Sequence, residues 1–384
     1  MDLHPFGGAV APCIALALAA CVSAQSWEAT RVLKDIDARG GPSELKALTP
    51  TPSRVTITYR LGDRTGVADL YQPNQPIGAG LVLVPGFTPA GKDDPRLVDL
   101  AFSLSRARFL VLVPDLQGSR EMGIRIEDAR SIADAAAYLA AGDRLAADRD
   151  VGVVAISYAV ALAVLATREP QAEEKIRFVV GVGGYYDTAA MVTFMTTGGF
   201  REPGETAWRT ARPNPAAKWI FLASNTEVLT DPNDRKALSD IAARRLWEPD
   251  ARVDDLAAGL GVEGRSLFDL LTNTETERVQ HLLDKLPIAV QRRMERLSPS
   301  SYDLSYLAGR LILIHGREDT MIPYTESLSL EAAVPGTELF VIDGFSHIDP
   351  TKTGILARLQ LIDAIQAVLS RRRSQPKAAL GVAK

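Results

Sequence analysis

Short runs of consecutive apolar residues punctuate this chain, and stretches with apolar positions three and four apart lie between them. The runs are Ala79 to Val84 (AGLVLV), Phe109 to Val113 (FLVLV), Val151 to Ile156 (VGVVAI), Ile176 to Val182 (IRFVVGV) and Leu311 to Ile314 (LILI), with Glu338 to Ile342 (ELFVI) as the last. Runs of this length that stop at turn residues predict strands buried on both faces, as in a parallel sheet covered by helices. The start of the body differs. Arg54 to Arg60 (RVTITYR) alternates and is rich in β-branched residues, then Gly62 to Gly66 (GDRTG) leads into Val67 to Tyr71, which predicts an antiparallel hairpin. Between the runs, Pro95 to Arg106, Ile124 to Ala141, Tyr158 to Arg168 and Ile355 to Leu369 carry apolar stripes that predict helices. The expected fold class is therefore α/β, a mostly parallel central sheet flanked by helices, with any ligand at the carboxyl ends of the strands.

From about Asp187 to Ser300 the strand rhythm stops. Only Trp219 to Leu222 (WIFL) reads as a short strand or a buried helix, while Asp234 to Trp247, Ser266 to Leu271 and Glu275 to Leu286 have helical spacing, with breaks at Asp231-Pro232 and Glu248-Pro249. A helical cap over the strand ends is the leading reading of 187–300, and a separately folding domain the alternative. Residues 25–52 read as an N-terminal extension, polar from 30 onwards and loosely connected through Gly40-Gly41-Pro42. The main domain is expected over 53–370, and Arg371 to Lys384 as a frayed tail. No internal repeat is present.

The first 24 residues change the picture of compartment. Ala9 to Val22 (AVAPCIALALAACV) is an apolar stretch of signal-peptide length, too short for a membrane span. Val22-Ser23-Ala24 before Gln25 offers small residues for cleavage, and Leu18-Ala19-Ala20-Cys21 matches the lipobox of bacterial lipoproteins, with Cys21 as the lipid carrier. The segment before the stretch holds Asp2 and no Lys or Arg, which speaks against both. Export to a periplasmic or lipid-anchored state is the expectation, a cytoplasmic protein with an apolar N-terminus the alternative. Cys13 and Cys21 are the only cysteines, so a processed body would hold no disulfide and no thiol nucleophile. Four histidines (His4, His281, His315, His347), with no HExxH and no close pair, argue against a metal centre. A formal charge of −4 supplies no field for a phosphate backbone, so no nucleic acid partner is expected. Oxygen nucleophiles and acid–base groups remain.

The strongest chemical signal is VGVVAISYAVALA at 151–163: a buried strand, a serine, then small residues opening an apolar helix. On such a tight turn the nucleophile is pushed into a strained position above the sheet and needs small residues two before and two after it, and here they are Ala155 and Ala159 around Ser157. Both positions usually hold glycine, so the G-x-S-x-G pattern itself is absent. Taken alone, Ser157 also reads as a serine capping a helix. Further along, LILI is followed by His315-Gly316-Arg317-Glu318-Asp319, and ELFVI by Asp343-Gly344-Phe345-Ser346-His347. An acid beyond one strand and a histidine beyond the next would bring both to the edge that presents Ser157. Asp187, beyond the IRFVVGV strand, is the alternative acid. His315 reads as a support of the acid loop, Asp343 and Ser346 as shaping the histidine turn, and Tyr185 and Tyr186 as pocket walls or plain packing.

With AISYA at the serine, HGREDTMIP at the acid, GFSH at the histidine and VPGF at 84–87, the sequence resembles the α/β-hydrolase superfamily, in particular its esterase, dienelactone-hydrolase-like and prolyl-peptidase-like members. The resemblance covers roughly 53–370, apart from the insert. It implies a serine hydrolase acting on a carboxylic ester or related acyl bond of a small molecule, with neither metal nor organic cofactor. Ser157 would attack, His347 would take and return the proton, and Asp319 would hold the histidine ring. Backbone N–H groups of Phe87 and Tyr158 would receive the oxyanion. A serine peptidase, an acyltransferase and a non-catalytic binding protein are the competing readings. A nucleotide site is not favoured, because Lys92 in VPGFTPAGKDD lacks the phosphate-loop spacing and precedes Asp93.

Overall fold

In a computed structural model, residues 25–121, 123–346 and 354–372 are described. The predicted leader with Cys13 and Cys21, His347 and the tail from residue 373 lie outside them.

Ten strands occur among the described residues: β1 Ser53–Leu61, β2 Arg64–Gln72, β3 Ala79–Val84, β4 Phe109–Pro114, β5 Val151–Ile156, β6 Ile176–Val182, β7 Gly199–Phe200, β8 Arg209–Thr210, β9 Leu311–Gly316 and β10 Glu338–Ile342. Eight form one sheet in the order β1-β2-β4-β3-β5-β6-β9-β10. β2 is antiparallel to both β1 and β4, and every pairing from β4 to β10 is parallel. The six predicted apolar runs are thus the six strands of the parallel part. Their near-continuous apolarity follows from alternation between two cores. Val82, Leu112, Val153, Val179 and Leu313 face one cluster with Ile132, Ala136 and Leu162. Leu81, Val111, Val154, Val180 and Ile312 face the other, with Leu97, Ala101 and Leu361.

The hairpin turn is tighter than the glycine cluster implied. Leu61 pairs with Arg64, leaving a two-residue loop whose first residue, Gly62, has φ +60°, the position at which a II′ turn requires glycine. The helix Pro95–Arg106 begins as predicted, with Asp94 accepting from the Arg96 N–H at 2.9 Å and proline in the first turn. The helices at Ile126–Ala141, Ala159–Ala166 and Ile355–Ser370 fall within a few residues of expectation.

Three expectations need correction. Residues 25–52 are not a loose connection. A helix over 25–38 buries Ala29, Val32 and Leu33 in the second core, and buried Asp35 accepts from Ser103 Oγ at 2.7 Å and Lys46 Nζ at 2.8 Å. The apolar spacing was masked by the charged residues around those three positions, Glu28, Arg31, Lys34 and Asp35. The tail does not begin at Arg371: Arg371 pairs with Glu338 at 2.6 Å, and Arg372, buried, makes two bonds of 2.6 Å to Glu28. Third, the insert is not free of strands, since β7 and β8 form a two-residue antiparallel ribbon too short to leave a sequence signal.

Otherwise the insert is helical, with helices at Thr188–Thr197, Ala216–Asn225, Pro232–Trp247, Val262–Thr272, Val279–Asp284 and Ile288–Leu297. WIFL belongs to the second of these and is a buried helix, with Trp219, Phe221 and Leu222 in the core. The insert meets the strand ends through the Asn214 N–H, which donates to the Thr320 carbonyl at 2.7 Å, and Tyr324 Oη, which donates to Glu202 at 2.6 Å.

Candidate active site

β5 lies between β3 and β6 and ends at Ile156. Ser157 follows with φ +59°, and the helix Ala159–Ala166 begins two residues later. A left-handed backbone costs a residue with a Cβ on the order of 1–2 kcal/mol, so the surroundings must hold it there. They do so through the Ser157 N–H, which donates to the Val182 carbonyl at 2.7 Å, and the Ser157 carbonyl, which accepts from Val160 at 3.0 Å. Arg39, Arg108 and Glu174 also have positive φ. The first two follow helix ends, where such a conformation is a common cap, and Glu174 lies in a turn. Ser157 differs in standing between a strand and a helix start, and the residue is half-buried.

Ala155 and Ala159 are fully buried on either side of it. The glycine missing from the serine turn has counterparts on neighbouring loops. A Cβ on Gly86 would lie 3.3 Å from the Ser157 Cβ, so any side chain on the loop after β3 at this point would crowd the serine. On the other side, a Cβ on Gly184 would come within 2.2 Å of the Val160 Cβ, so the β6 loop needs glycine because the serine helix carries valine there. The rings of Phe87 and Tyr158 stack with centroids 3.9 Å apart and 12° between planes, which brings together the two residues expected to supply oxyanion donors. Ser119 Oγ donates to the Gly86 carbonyl at 2.8 Å and holds that loop from behind, a role no sequence motif signalled.

Asp319 lies in the loop after β9 and is buried, with Oδ1 accepting from Met321 at 2.8 Å and Ile322 at 3.1 Å. Beside it, His315 is fully buried. Its Nδ1 is 2.7 Å from Ser327 Oγ, and its Nε2 is 3.0 Å from the Ile322 carbonyl and 3.4 Å from Asp319 Oδ2. A carbonyl only accepts, so Nε2 carries a proton and, in the neutral ring, Nδ1 accepts from Ser327. Ser327, His315 and Asp319 are therefore a Ser–His–Asp arrangement that sequence reading missed, because Ser327 sits in the helix Thr325–Ala333 rather than beside a recognisable turn.

The alternative acid, Asp187, caps the helix Thr188–Thr197 by accepting from Ala189 and Ala190, and accepts from Ser300 Oγ at 2.6 Å. Asp343 is exposed and pairs with Arg317 at 2.7 Å, and Ser346 is exposed at the end of its turn. Tyr185 is buried and donates to the Leu297 carbonyl at 3.0 Å, which makes it a tie between sheet and insert. The histidine candidate, His347, lies outside the described residues. β10 pairs in parallel with β9, Ile342 opposite Gly316, so the turn that leads to His347 starts beside the one that holds Asp319.

Glu326 was also missed. It is buried, and a single oxygen, Oε2, accepts from the N–H groups of Tyr186 at 2.9 Å and Asp187 at 2.7 Å, joining the loops after β6 and β9. Burial pushes its carboxyl up to about 7, against the opposing effect of those two bonds. A carboxyl raised from about 4.5 stabilises the fold fully below pH 4.5, and that contribution disappears as pH rises through 7, a change on the order of 3 kcal/mol. Glu326→Gln keeps one acceptor oxygen and removes the titration. Its unfolding free energy in urea should therefore fall less than that of the parent between pH 5 and pH 8, and an equal fall in the two proteins would refute the assignment.

No protein-family model and no curated protein matches the sequence, whereas solved structures do. The chain is similar to a putative hydrolase of Legionella pneumophila, at 13% identity and a TM-score of 0.51 over 85% of this chain and 89% of that one. It is also similar to the acylaminoacyl peptidase of Pyrococcus horikoshii in its orthorhombic form, at 10% identity and a TM-score of 0.50 over 88% of this chain and 44% of that one. The chain spans less than half the length of the acylaminoacyl peptidases it matches. Together with the strand order, these likenesses define the class: the chain has the α/β-hydrolase fold, with a helical cap insertion between β6 and β9.

Proposed function

We propose that this protein is a serine hydrolase that cleaves a carboxylic ester or related acyl bond through a covalent acyl-enzyme on Ser157. The carrying observation is the positive φ of Ser157 at the end of the central strand β5, a strained position that neither helix capping nor a turn motif requires. In this reading, Ser157 Oγ attacks the acyl carbon as its proton passes to His347. The tetrahedral oxygen is met by the N–H groups of Phe87 and Tyr158, the latter at the start of the serine helix. Collapse expels the alcohol with the proton from His347, and water, deprotonated by His347, then releases the acid. Asp319 holds the histidine ring and favours its charged form.

The Ser327–His315–Asp319 arrangement supports the same chemistry with a different serine. Burial of all three side chains decides between them, because a substrate carbonyl must approach within about 3–3.5 Å of the attacking oxygen. His315 instead braces the loop that carries Asp319. Treatment with a fluorophosphonate probe followed by peptide mapping tests the reading. Modification of Ser157 is expected, and modification of Ser327, or of no serine, would overturn it. Water as the acyl acceptor is the simplest case. A peptidase or acyltransferase would form the same intermediate, and product analysis with added amines and alcohols separates them.

A further inference from the structure

We propose that the acyl part of the substrate enters a cavity walled by the N-terminal helix 25–38, so that this helix sets the acyl length the enzyme accepts. The inference rests on the serine-hydrolase reading above. The cavity, about 220 Å³, lies at the carboxyl edge of the sheet on the face opposite the serine helix. Its wall includes Gly86, where an added Cβ would crowd the Ser157 side chain, and Ile156, the residue before Ser157. The cavity therefore adjoins the serine turn through Gly86 and Ile156.

Its lining identifies the occupant. Ile36, Phe87, Leu97, Leu100 and Ile156 supply an apolar surface from four separate segments. Asp94 at the wall is held by Arg96 at 2.8 Å and Thr88 at 2.8 Å, and Asp37 is paired with Arg358. Asp37, Asp94 and Asp99 share the wall with Arg39 and Arg96, so the cavity offers no field of one sign to hold a charged group, which would lose its own hydration there. An uncharged, apolar acyl group fits. A cavity of about 150 Å³ holds a benzene ring, so this one suits an acyl arm of about six to eight carbons.

The helix is a firm wall. Glu28 is paired with Arg372 and Ser26 Oγ donates to Gln366 at 3.0 Å, while Asp35 is bonded to Ser103 on the helix behind the cavity. Ile36, on its last turn, is the contribution of this segment to the apolar lining.

The test measures kcat/KM for p-nitrophenyl acetate, butyrate, octanoate and laurate, with the leaving group held constant, and for a second series of acetate esters of lengthening alcohols. Ile36→Trp fills the cavity and should lower the octanoate-to-acetate ratio at least tenfold. Ile36→Ala should shift the preferred acyl chain to greater length. Circular dichroism and thermal unfolding establish that each variant folds, and Leu100→Phe, which fills the same space from another helix, replaces Ile36→Trp if that variant does not. An unchanged acyl profile in a folded cavity-filling variant, an equal fall for every acyl ester, or a response confined to the alcohol series would overturn the proposal. The probe labelling of Ser157 is read on the parent protein. Labelling with an unchanged acyl profile rejects the cavity alone, and absence of both labelling and ester hydrolysis rejects cavity and mechanism together.

Discussion

Ser157→Ala is expected to abolish the burst of p-nitrophenol and fluorophosphonate labelling, and to lower turnover by on the order of 10⁴-fold or more, with the fold retained. The substitution deletes only the attacking oxygen. The Cβ remains, as does the N–H bond to the Val182 carbonyl at 2.7 Å, so thermal unfolding should stay within a few degrees of the parent. Ser157→Gly gives a second readout, because glycine adopts φ +59° without strain; it should be more stable than Ser157→Ala by about 1 kcal/mol while equally inactive. Ser327→Ala should behave in the opposite way. It leaves His315 Nδ1 buried without the hydroxyl now 2.7 Å away, at a cost of about 1–3 kcal/mol, but labelling of Ser157 should persist. Full burst chemistry in folded Ser157→Ala, together with its loss in Ser327→Ala, would transfer the nucleophile to Ser327.

Asp319→Asn should reduce kcat/KM by up to about 10⁴-fold, the scale of the corresponding change in a well-studied serine protease triad. Its mechanism is specific. The Asn carbonyl oxygen can still accept from Met321 and Ile322, so the loop should keep its shape. The second carboxylate oxygen, however, becomes an amide nitrogen, which cannot accept from a histidine N–H. The loss should fall mainly on kcat, since the charge of the histidine develops in the transition state. Asp187→Asn makes the comparison. Asp187 caps a helix, where asparagine serves about as well, and accepts from Ser300, so its replacement should cost less than about 1 kcal/mol of stability and leave burst kinetics in place. A large loss in Asp187→Asn with a small one in Asp319→Asn would reassign the acid.

Most of the sheet was legible because its physics is local. A strand buried on both faces is apolar at nearly every position, and five such runs lie in the sequence, followed by the half-buried edge strand β10. The helices between them were equally clear, since a helix packed on a sheet shows its buried stripe at three- and four-residue spacing. The serine turn was legible as a type of junction, a strand meeting a helix with small residues on both sides of Ser157. The strain expected of such a junction is seen as φ +59°, and the bonds to Val182 and Val160 that hold it come from the fold.

Tertiary structure decided what depends on partners distant in sequence. The helix 25–38 looked like a polar connection because its three buried residues are outnumbered by charged ones, and its most buried acid, Asp35, finds its partner 68 positions away at Ser103. Asp319 was the expected acid and Asp187 the alternative, both beyond strands, and only their surroundings separate a helix cap from a carboxylate beside the acid-loop histidine. Glu326 and Ser327 are ordinary helix residues in sequence. They become a buried link between two loops and a partner for His315 because the helix Thr325–Ala333 packs beneath the strand ends. Apolar periodicity is written along the chain, since each residue meets water or core alone, whereas hydrogen-bond partnership and accessibility belong to pairs and exist only once the chain has folded.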